Sequence, residues 1–309
     1  MQVAVHRKKH RQIIPELFEI DEMFKECPFC KSKETRFVCS VITTPEITAM
    51  SCKQCHIGYI DRQPTETFLR EFYKGYYGKD DQHTTISPHL LVKHLIKQFG
   101  KLRSKSTFSI LDFGGGDGSV SQLFANHLLT SKLAQQVSIS NVDYNVGRSV
   151  EGTSYKIVKS NLTSLESIPT GKKFDIVIAS AILEHVKNPN QTLSVLLNFL
   201  EENGLFYART PYVYPIFNAL SKVGITIDLP YPAHLFDMGN SFWNSILKTL
   251  HLTSCFYLKK SCTSIVESSF RDHPIRTLIS HLLKIPSYVF KNHYNLVGGW
   301  EVVIKRNAC

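Results

Sequence analysis

The sequence predicts an α/β fold in which a largely parallel sheet is covered by helices on both faces, with a small cysteine-rich module ahead of it. Three observations support this prediction. Apolar strands alternate with helical segments after residue 104, a glycine-rich loop follows the first of these strands, and two C-x2-C pairs lie near the start of the chain. The 309 residues, 43% of them hydrophobic, suffice for one large domain and an appended small one.

The cysteine-rich module is the first element along the chain. Its two C-x2-C pairs consist of Cys27, Cys30, Cys52 and Cys55. Strand-like segments lie between the pairs, as in zinc ribbons, in which two tight turns present four thiolates to one tetrahedral ion. We therefore predict a structural Zn²⁺ in a zinc ribbon over residues 25–64, because four cysteines leave no open position for a substrate. Four buried free thiols are the alternative. Residues 1–24 form a basic segment ahead of the module.

Helical patterns follow the module. Aromatic residues recur at helical spacing over residues 65–77, and a second amphipathic pattern covers residues 88–103. We predict that residues 65–103 form a helical linker or lid, and that residues 104–309 form the large domain, with a helical insert at about 263–299. The strands predicted for that domain are 109–113, 137–142, 155–158, 174–179, 205–209, 255–259 and 300–305.

The first predicted strand of the large domain runs into the loop Asp-Phe-Gly-Gly-Gly-Asp-Gly at residues 112–118. Ligands of parallel sheets bind beyond the carboxyl ends of the strands, and glycines let the backbone approach them closely. A dinucleotide favours G-x-G-x-x-G, but Ser119 stands at the third glycine position. Asp112 and Asp117 flank the glycines, and carboxylates suit a cation better than a diphosphate. The loop thus favours S-adenosylmethionine (SAM), a sulfonium, over NAD or FAD. The remaining alternative is a glycine loop that only reverses the chain direction and binds no cofactor.

Four motifs in a fixed order carry a family resemblance. They are the glycine loop with its strand (110–118), Val-Asp at 142–143, Asn-Leu at 161–162 and the segment FDIVIASAILEHV at 174–186. In this order the motifs resemble the class I SAM-dependent methyltransferases, over roughly residues 104–305. The resemblance implies a Rossmann-like sheet of seven strands with helices on both faces, and a SAM-dependent methyltransferase activity.

The resemblance also implies which residues contact SAM. They are Asp112, Gly114, Gly116, Gly118, Asp143, Tyr144, Asn161, Leu162 and Ser180. The three glycines would line the methionine and ribose end, and Asp112 would face the ammonium group. Asp143 would accept the ribose hydroxyls, Tyr144 would pack on the adenine, and the backbone at Ser180 would meet the methionine part. A surface carboxylate is the alternative for Asp143.

Two histidines are candidate general bases for an oxygen or carbon acceptor. His185 follows the fourth predicted strand, and His234 follows the fifth. Structural histidines are the alternative for both. The ribbon with the aromatic helix after it resembles a module found ahead of the methyltransferase domain in bacterial enzymes of polysaccharide and nucleotide-sugar pathways. The leading prediction is therefore transfer of a methyl group to a hydroxyl of a small-molecule acceptor, a sugar or sugar nucleotide, and the net charge of +10 suits a diphosphate-bearing acceptor.

Two other functions stay open. An RNA methyltransferase could use the ribbon and the positive charge to bind RNA, although the basic residues are scattered and the Asn/Asp-Pro-Pro-Tyr/Phe motif of base-amino methyltransferases is missing. The third hypothesis is a non-catalytic binding protein that uses the zinc ribbon. No uncharged run approaches the roughly 18 residues that span a bilayer, and no apolar segment follows the basic N-terminus. We therefore expect a cytoplasmic protein, with an oligomeric state that the sequence leaves open.

Overall fold

The computed structural model describes residues 19–76, 87–143, 156–224, 229–266, 268, 273–290 and 294–308. The strands are β1 (Thr35–Thr43), β2 (Glu46–Cys52), β3 (Gly58–Ile60), β4 (Lys105–Phe113), β5 (Ala134–Val142), β6 (Ile157–Leu162), β7 (Phe174–Ser180), β8 (Leu200–Tyr212), β9 (Phe236–Asp237), β10 (Phe256–Thr263) and β11 (Gly298–Arg306). The helices are α1 (Glu66–Tyr76), α2 (Pro88–Phe99), α3 (Ser119–Thr130), α4 (Pro189–Asn198), α5 (Tyr214–Ser221), α6 (Asn240–Thr249) and α7 (Pro274–Phe290).

A seven-stranded sheet forms the centre of the large domain, with the strand order β10-β11-β8-β7-β4-β5-β6. The strands from β8 to β6 pair in parallel, whereas β11 is antiparallel to both β8 and β10. Sequence order reverses between β4 and β7, so the carboxyl end of β4 lies at a topological switch point, where open α/β sheets bind ligands. This architecture confirms the predicted Rossmann-like fold of seven strands.

Alternate residues of the central strands pack on opposite faces of the sheet. Ile110 of β4 and Ile176 of β7 belong to one apolar cluster, which α2 and α3 cover, and the next residues, Leu111 and Val177, belong to the other, which α4 and α6 cover. All four side chains are buried. Burial on both faces explains why the strand predicted over 174–179 is a nearly continuous apolar run rather than an alternating pattern.

The cysteine-rich module forms a second, antiparallel sheet of four strands, in the order β1-β2-β3-β9. Strand β9 comes from the large domain: Phe236 pairs with Tyr59, and Asp237 pairs with Gly58. The rings of Phe29 and Phe242 also meet across the junction, with their centroids 5.1 Å apart. The module therefore shares a sheet and an apolar core with the large domain.

Helix α7 lies within the segment predicted as a helical insert. Within the part of the chain that the structure describes, neither α7 nor any other helix is long and apolar enough to cross a membrane.

Candidate active site

The loop between β4 and α3 needs glycine for two physical reasons. Gly114, Gly116 and Gly118 have φ angles of +71°, +57° and +72°, in the left-handed region that side chains disfavour. Gly115 is needed because of its neighbours, since a Cβ there would lie 2.3 Å from Asn141 Oδ1 and 2.5 Å from the Asp112 carboxyl carbon. The backbone thus makes a tight turn directly over polar side chains of β4 and β5.

Side chains from β5 and β6 brace this loop. The Gly116 amide donates to Asp143 Oδ2 at 2.9 Å, and Asn141 Nδ2 donates to the Gly116 carbonyl at 2.9 Å. Lys159 Nζ donates to the Asp117 carbonyl at 2.7 Å. Asn141 and Lys159 are absent from the sequence-based prediction. The signal that could have found them is the parallel register, which brings the carboxyl ends of neighbouring strands to the same edge as the loop.

Three oxygen atoms beside the loop are buried without a hydrogen-bond partner. They are Asp112 Oδ2, Asn141 Oδ1 and Asn161 Oδ1. Burial raises the pKa of Asp112 to about 6, and the nearby Asp143 adds to the shift. Buried acceptors normally find donors, so unpaired acceptors at a switch point mark a place where a ligand with amino or ammonium groups would fit.

The other predicted SAM residues lie around the same edge. Asn161 and Leu162 pair with Asn141 and Val142 across β5 and β6. Ser180 ends β7, where its hydroxyl accepts a hydrogen bond from Arg209 Nε at 3.1 Å. Tyr144 lies outside the described residues. The described members of the predicted set therefore lie on the four adjacent strand ends of β7, β4, β5 and β6.

The two predicted histidines come together, although about 50 residues separate them. The His185 and His234 rings meet edge to face, with their centroids 4.9 Å apart. His185 Nδ1 lies 2.7 Å from the Ala233 carbonyl oxygen and 3.0 Å from the Tyr73 hydroxyl. Burial lowers the pKa of His185 to about 4, so its ring is neutral at pH 7. Tyr73, on α1, was not among the predicted site residues.

Glu184 completes a cluster with the two histidines. Its Oε1 lies 3.8 Å from His185 Nε2, and its Oε2 is buried without a hydrogen-bond partner. Burial raises the pKa of this carboxyl to about 7, against an opposing attraction from Arg209. A carboxylate, two imidazoles and a tyrosine hydroxyl therefore lie together, and such a cluster can bind a hydroxyl group or a cation.

The segment after β7 joins this cluster to the glycine loop. Ala181 has a φ of +57°, which turns the chain sharply at the strand end. The next residue, Ile182, covers the loop, since a Cβ on Gly114 would lie 2.4 Å from Ile182 Cγ1. The histidines thus begin three residues after the contact with the loop, so that a ligand on the loop and a ligand on the histidines would be neighbours.

The four cysteines of the module also lie together. The sulfurs of Cys27 and Cys55 are 3.7 Å apart, and those of Cys30 and Cys52 are 3.6 Å apart. A tetrahedron of sulfurs about 2.3 Å from a central ion has edges of about 3.8 Å. The quartet has the residue types and the spacing of a structural zinc site.

Comparison with known proteins places these sites in a family context. Residues 85–238 match the family model described as a methyltransferase domain. That match begins just before α2 and ends after β9, so it includes the glycine loop and both histidines.

Two curated relatives match the chain. A mitochondrial ubiquinone biosynthesis O-methyltransferase of Dictyostelium discoideum is 22% identical over 157 residues, which are 48% of this chain and 48% of the relative. An (S)-coclaurine N-methyltransferase of Papaver somniferum is 27% identical over 138 residues, or 44% of this chain and 38% of the relative. The chain therefore spans less than half the length of these relatives.

The solved structures to which the chain is similar include that of the plantazolicin methyltransferase BamL in complex with a triazolic desmethylPZN analog and SAH. It is 15% identical, with a TM-score of 0.47, over 79% of this chain and 99% of that chain. Together with the sheet topology, the domain match shows that the chain contains a methyltransferase domain with the Rossmann-like fold of class I.

Proposed function

We propose that this protein transfers the methyl group of SAM to a small-molecule acceptor. The observation that carries the proposal is the match of residues 85–238 to a methyltransferase domain, with a glycine loop at the switch point of that domain. The curated relatives are named as O- and N-methyltransferases of small molecules, which favours this acceptor class.

The residues around the loop fit SAM. The unpaired oxygens of Asp112, Asn141 and Asn161 would accept hydrogen bonds from amino groups, and the negative charge of Asp112 would favour the ammonium group. Asp143, at the end of β5, would hold the ribose. When bound, SAM supplies a methyl group that is already activated by its sulfonium, so the protein's own task is to position the acceptor and to remove its proton.

The cluster of Glu184, His185 and His234 would receive the acceptor. We place a hydroxyl there, on a sugar or sugar nucleotide, because the resemblance to nucleotide-sugar enzymes and the net charge of +10 both favour an anionic sugar derivative. His185 would meet this hydroxyl as a neutral imidazole, since its pKa of about 4 keeps the ring unprotonated near pH 7.

The cysteine quartet would hold a structural Zn²⁺. In this role the ion would join the two cysteine turns of the module, and would take no part in methyl transfer, because four cysteines complete its coordination.

The cofactor assignment is tested by measuring SAM and SAH affinity calorimetrically. Asp143→Ala should weaken binding by about tenfold or more, because it removes a charged acceptor. Glu202→Ala is the matched control, since Glu202 is exposed on β8 away from the loop, and it should bind normally. Unchanged affinity in Asp143→Ala would contradict the ribose assignment.

The acceptor class is tested with SAM labelled in its methyl group. The wild-type protein would be incubated with nucleotide sugars, phenols, amines and RNA, and the label in each product would be measured. We expect the label in a nucleotide sugar. Label in RNA alone would favour the RNA methyltransferase hypothesis. SAM binding without transfer to any acceptor would contradict the proposal that the acceptor is a sugar or sugar nucleotide.

A further inference from the structure

We propose that Glu184, His185 and His234 form a binding site for a divalent transition-metal ion, separate from the cysteine quartet. Metal binding by these side chains stands on their geometry alone. The use of the ion, to take the oxygen of the acceptor in its open positions, rests on the function proposed above.

The three side chains lie close enough together to share one ion. Each offers one ligand atom, and these atoms all lie within 4.8 Å of one another. His185 Nε2 and Glu184 Oε1 are 3.8 Å apart, which is too long for a hydrogen bond. An ion bound at about 2.1 Å from each atom can bridge ligand atoms up to about 4.2 Å apart, so the Glu184–His185 pair fits as it stands, and a pair at 4.8 Å would fit after a side-chain shift of about half an ångström.

The hydrogen bonds of His185 fix which nitrogen faces the site. A carbonyl oxygen can only accept, so the 2.7 Å contact with Ala233 places the ring hydrogen on Nδ1. Nε2 therefore carries the lone pair of the ring, and it lies 3.8 Å from Glu184 Oε1. The Tyr73 hydroxyl donates to the same carbonyl at 3.0 Å and holds it in place. A histidine whose second nitrogen is anchored to a carbonyl is the usual arrangement of a metal ligand.

One oxygen of the Glu184 carboxylate lacks a partner that an ion would supply. Glu184 is 2% exposed, and its Oε2 has no hydrogen bond. The charge of Arg209 attracts the carboxylate, and Arg209 Nε donates to the Ser180 hydroxyl. A positive charge between His185 Nε2 and Glu184 Oε1, which lie 3.8 Å apart, would pair with both acceptors.

The chemistry of the ligands selects the class of ion. Two imidazoles and one carboxylate bind Zn²⁺, Mn²⁺, Fe²⁺ or Co²⁺, and three protein ligands leave coordination positions open. A hydroxyl bound there would lose its proton more readily. The proton would pass to water, the oxygen lone pair would form the new bond to the methyl carbon, and the electron pair of the broken C–S bond would stay on sulfur.

The test uses the full chain with zinc in its cysteine quartet, titrated with Co²⁺. We expect one Co²⁺ per chain, with a visible absorption band and without the charge-transfer band of cobalt–thiolate bonds, because the ligands are nitrogen and oxygen. Glu184→Gln and His234→Ala should each weaken Co²⁺ binding at least tenfold. His89→Gln, at an exposed position on α2, is the matched control and should bind Co²⁺ normally.

Each outcome decides the proposal. SAM affinity measured on the same variants reports whether they are folded, and we expect Glu184→Gln to keep it within a few fold. If the wild-type protein takes up no Co²⁺ outside the quartet, or if Glu184→Gln and His234→Ala bind it as well as the control, the metal site is wrong. If the wild-type protein binds SAM but no Co²⁺ outside the quartet, the methyltransferase proposal stands and the metal site is wrong. If it binds Co²⁺ at this site but no SAM, only the methyltransferase proposal is contradicted.

Discussion

Replacing Gly115 with alanine would add a methyl group at the most crowded position of the glycine loop. The new Cβ would lie 2.3 Å from Asn141 Oδ1, 2.5 Å from Asp112 Cγ and 2.6 Å from Asp112 Oδ2. Real Cβ atoms do not approach other atoms so closely, and neither neighbour is free to move, because Asp112 and Asn141 are both buried. Asn141 also supports the Gly116 carbonyl, so a displaced side chain would release the loop.

Overpacking of a buried position costs about 1–3 kcal/mol. If the loop absorbs this cost in its ligand-binding conformation, the Kd for SAM rises roughly five-fold to 150-fold. Gly171→Ala is the matched control. Gly171 also has a left-handed φ, of +79°, but nothing lies within 4 Å of its Cβ position. This variant should lose about 1 kcal/mol of stability and no affinity for SAM.

The assay is calorimetric titration with SAM, together with urea denaturation of both variants. We expect weaker SAM binding in Gly115→Ala and an unchanged Kd in Gly171→Ala. Wild-type affinity and stability in Gly115→Ala would refute the close approach of the loop to Asp112 and Asn141.

Two further predictions concern charge and metal. Asp112 has a pKa raised to about 6 by burial, so between about pH 4 and pH 6 the unfolded chain loses this proton first, and the free energy of unfolding falls as pH rises. In urea denaturation without SAM, Asp112→Asn should therefore become more stable than the wild type across this window, by up to about 3 kcal/mol, and its SAM affinity should fall. An equal pH dependence of the two proteins would contradict the argument that burial raises the pKa of Asp112. Cys52→Ser should lose zinc and lower the Tm by roughly 5–10 °C, whereas Cys39→Ser, outside the quartet, should keep its zinc; a full zinc content in Cys52→Ser by mass spectrometry would exclude the quartet.

The sequence was most informative about the strands of the central sheet. The apolar runs over 109–113, 137–142, 174–179, 205–209 and 300–305 lie within β4, β5, β7, β8 and β11, whereas β6 and β10 only overlap the strands predicted over 155–158 and 255–259. The ends differ. Strand β8 starts at Leu200 and continues through the exposed Glu201, Glu202 and Asn203, whereas the apolar pattern begins at Leu205. Hydrogen-bonded pairing extends a strand beyond its buried part, and polar residues carry no periodic signal for that extension.

The sequence alone therefore determined the fold class, the position of the glycine loop and the pairing of the four cysteines into a quartet, because local spacing encodes each of them. Only the tertiary structure decided that β9 completes the sheet of the cysteine module, that Asn141 and Lys159 brace the loop, and that Glu184 and His185 meet His234. These contacts join residues distant in the chain, and they depend on strand register and packing, which a local sequence pattern does not encode.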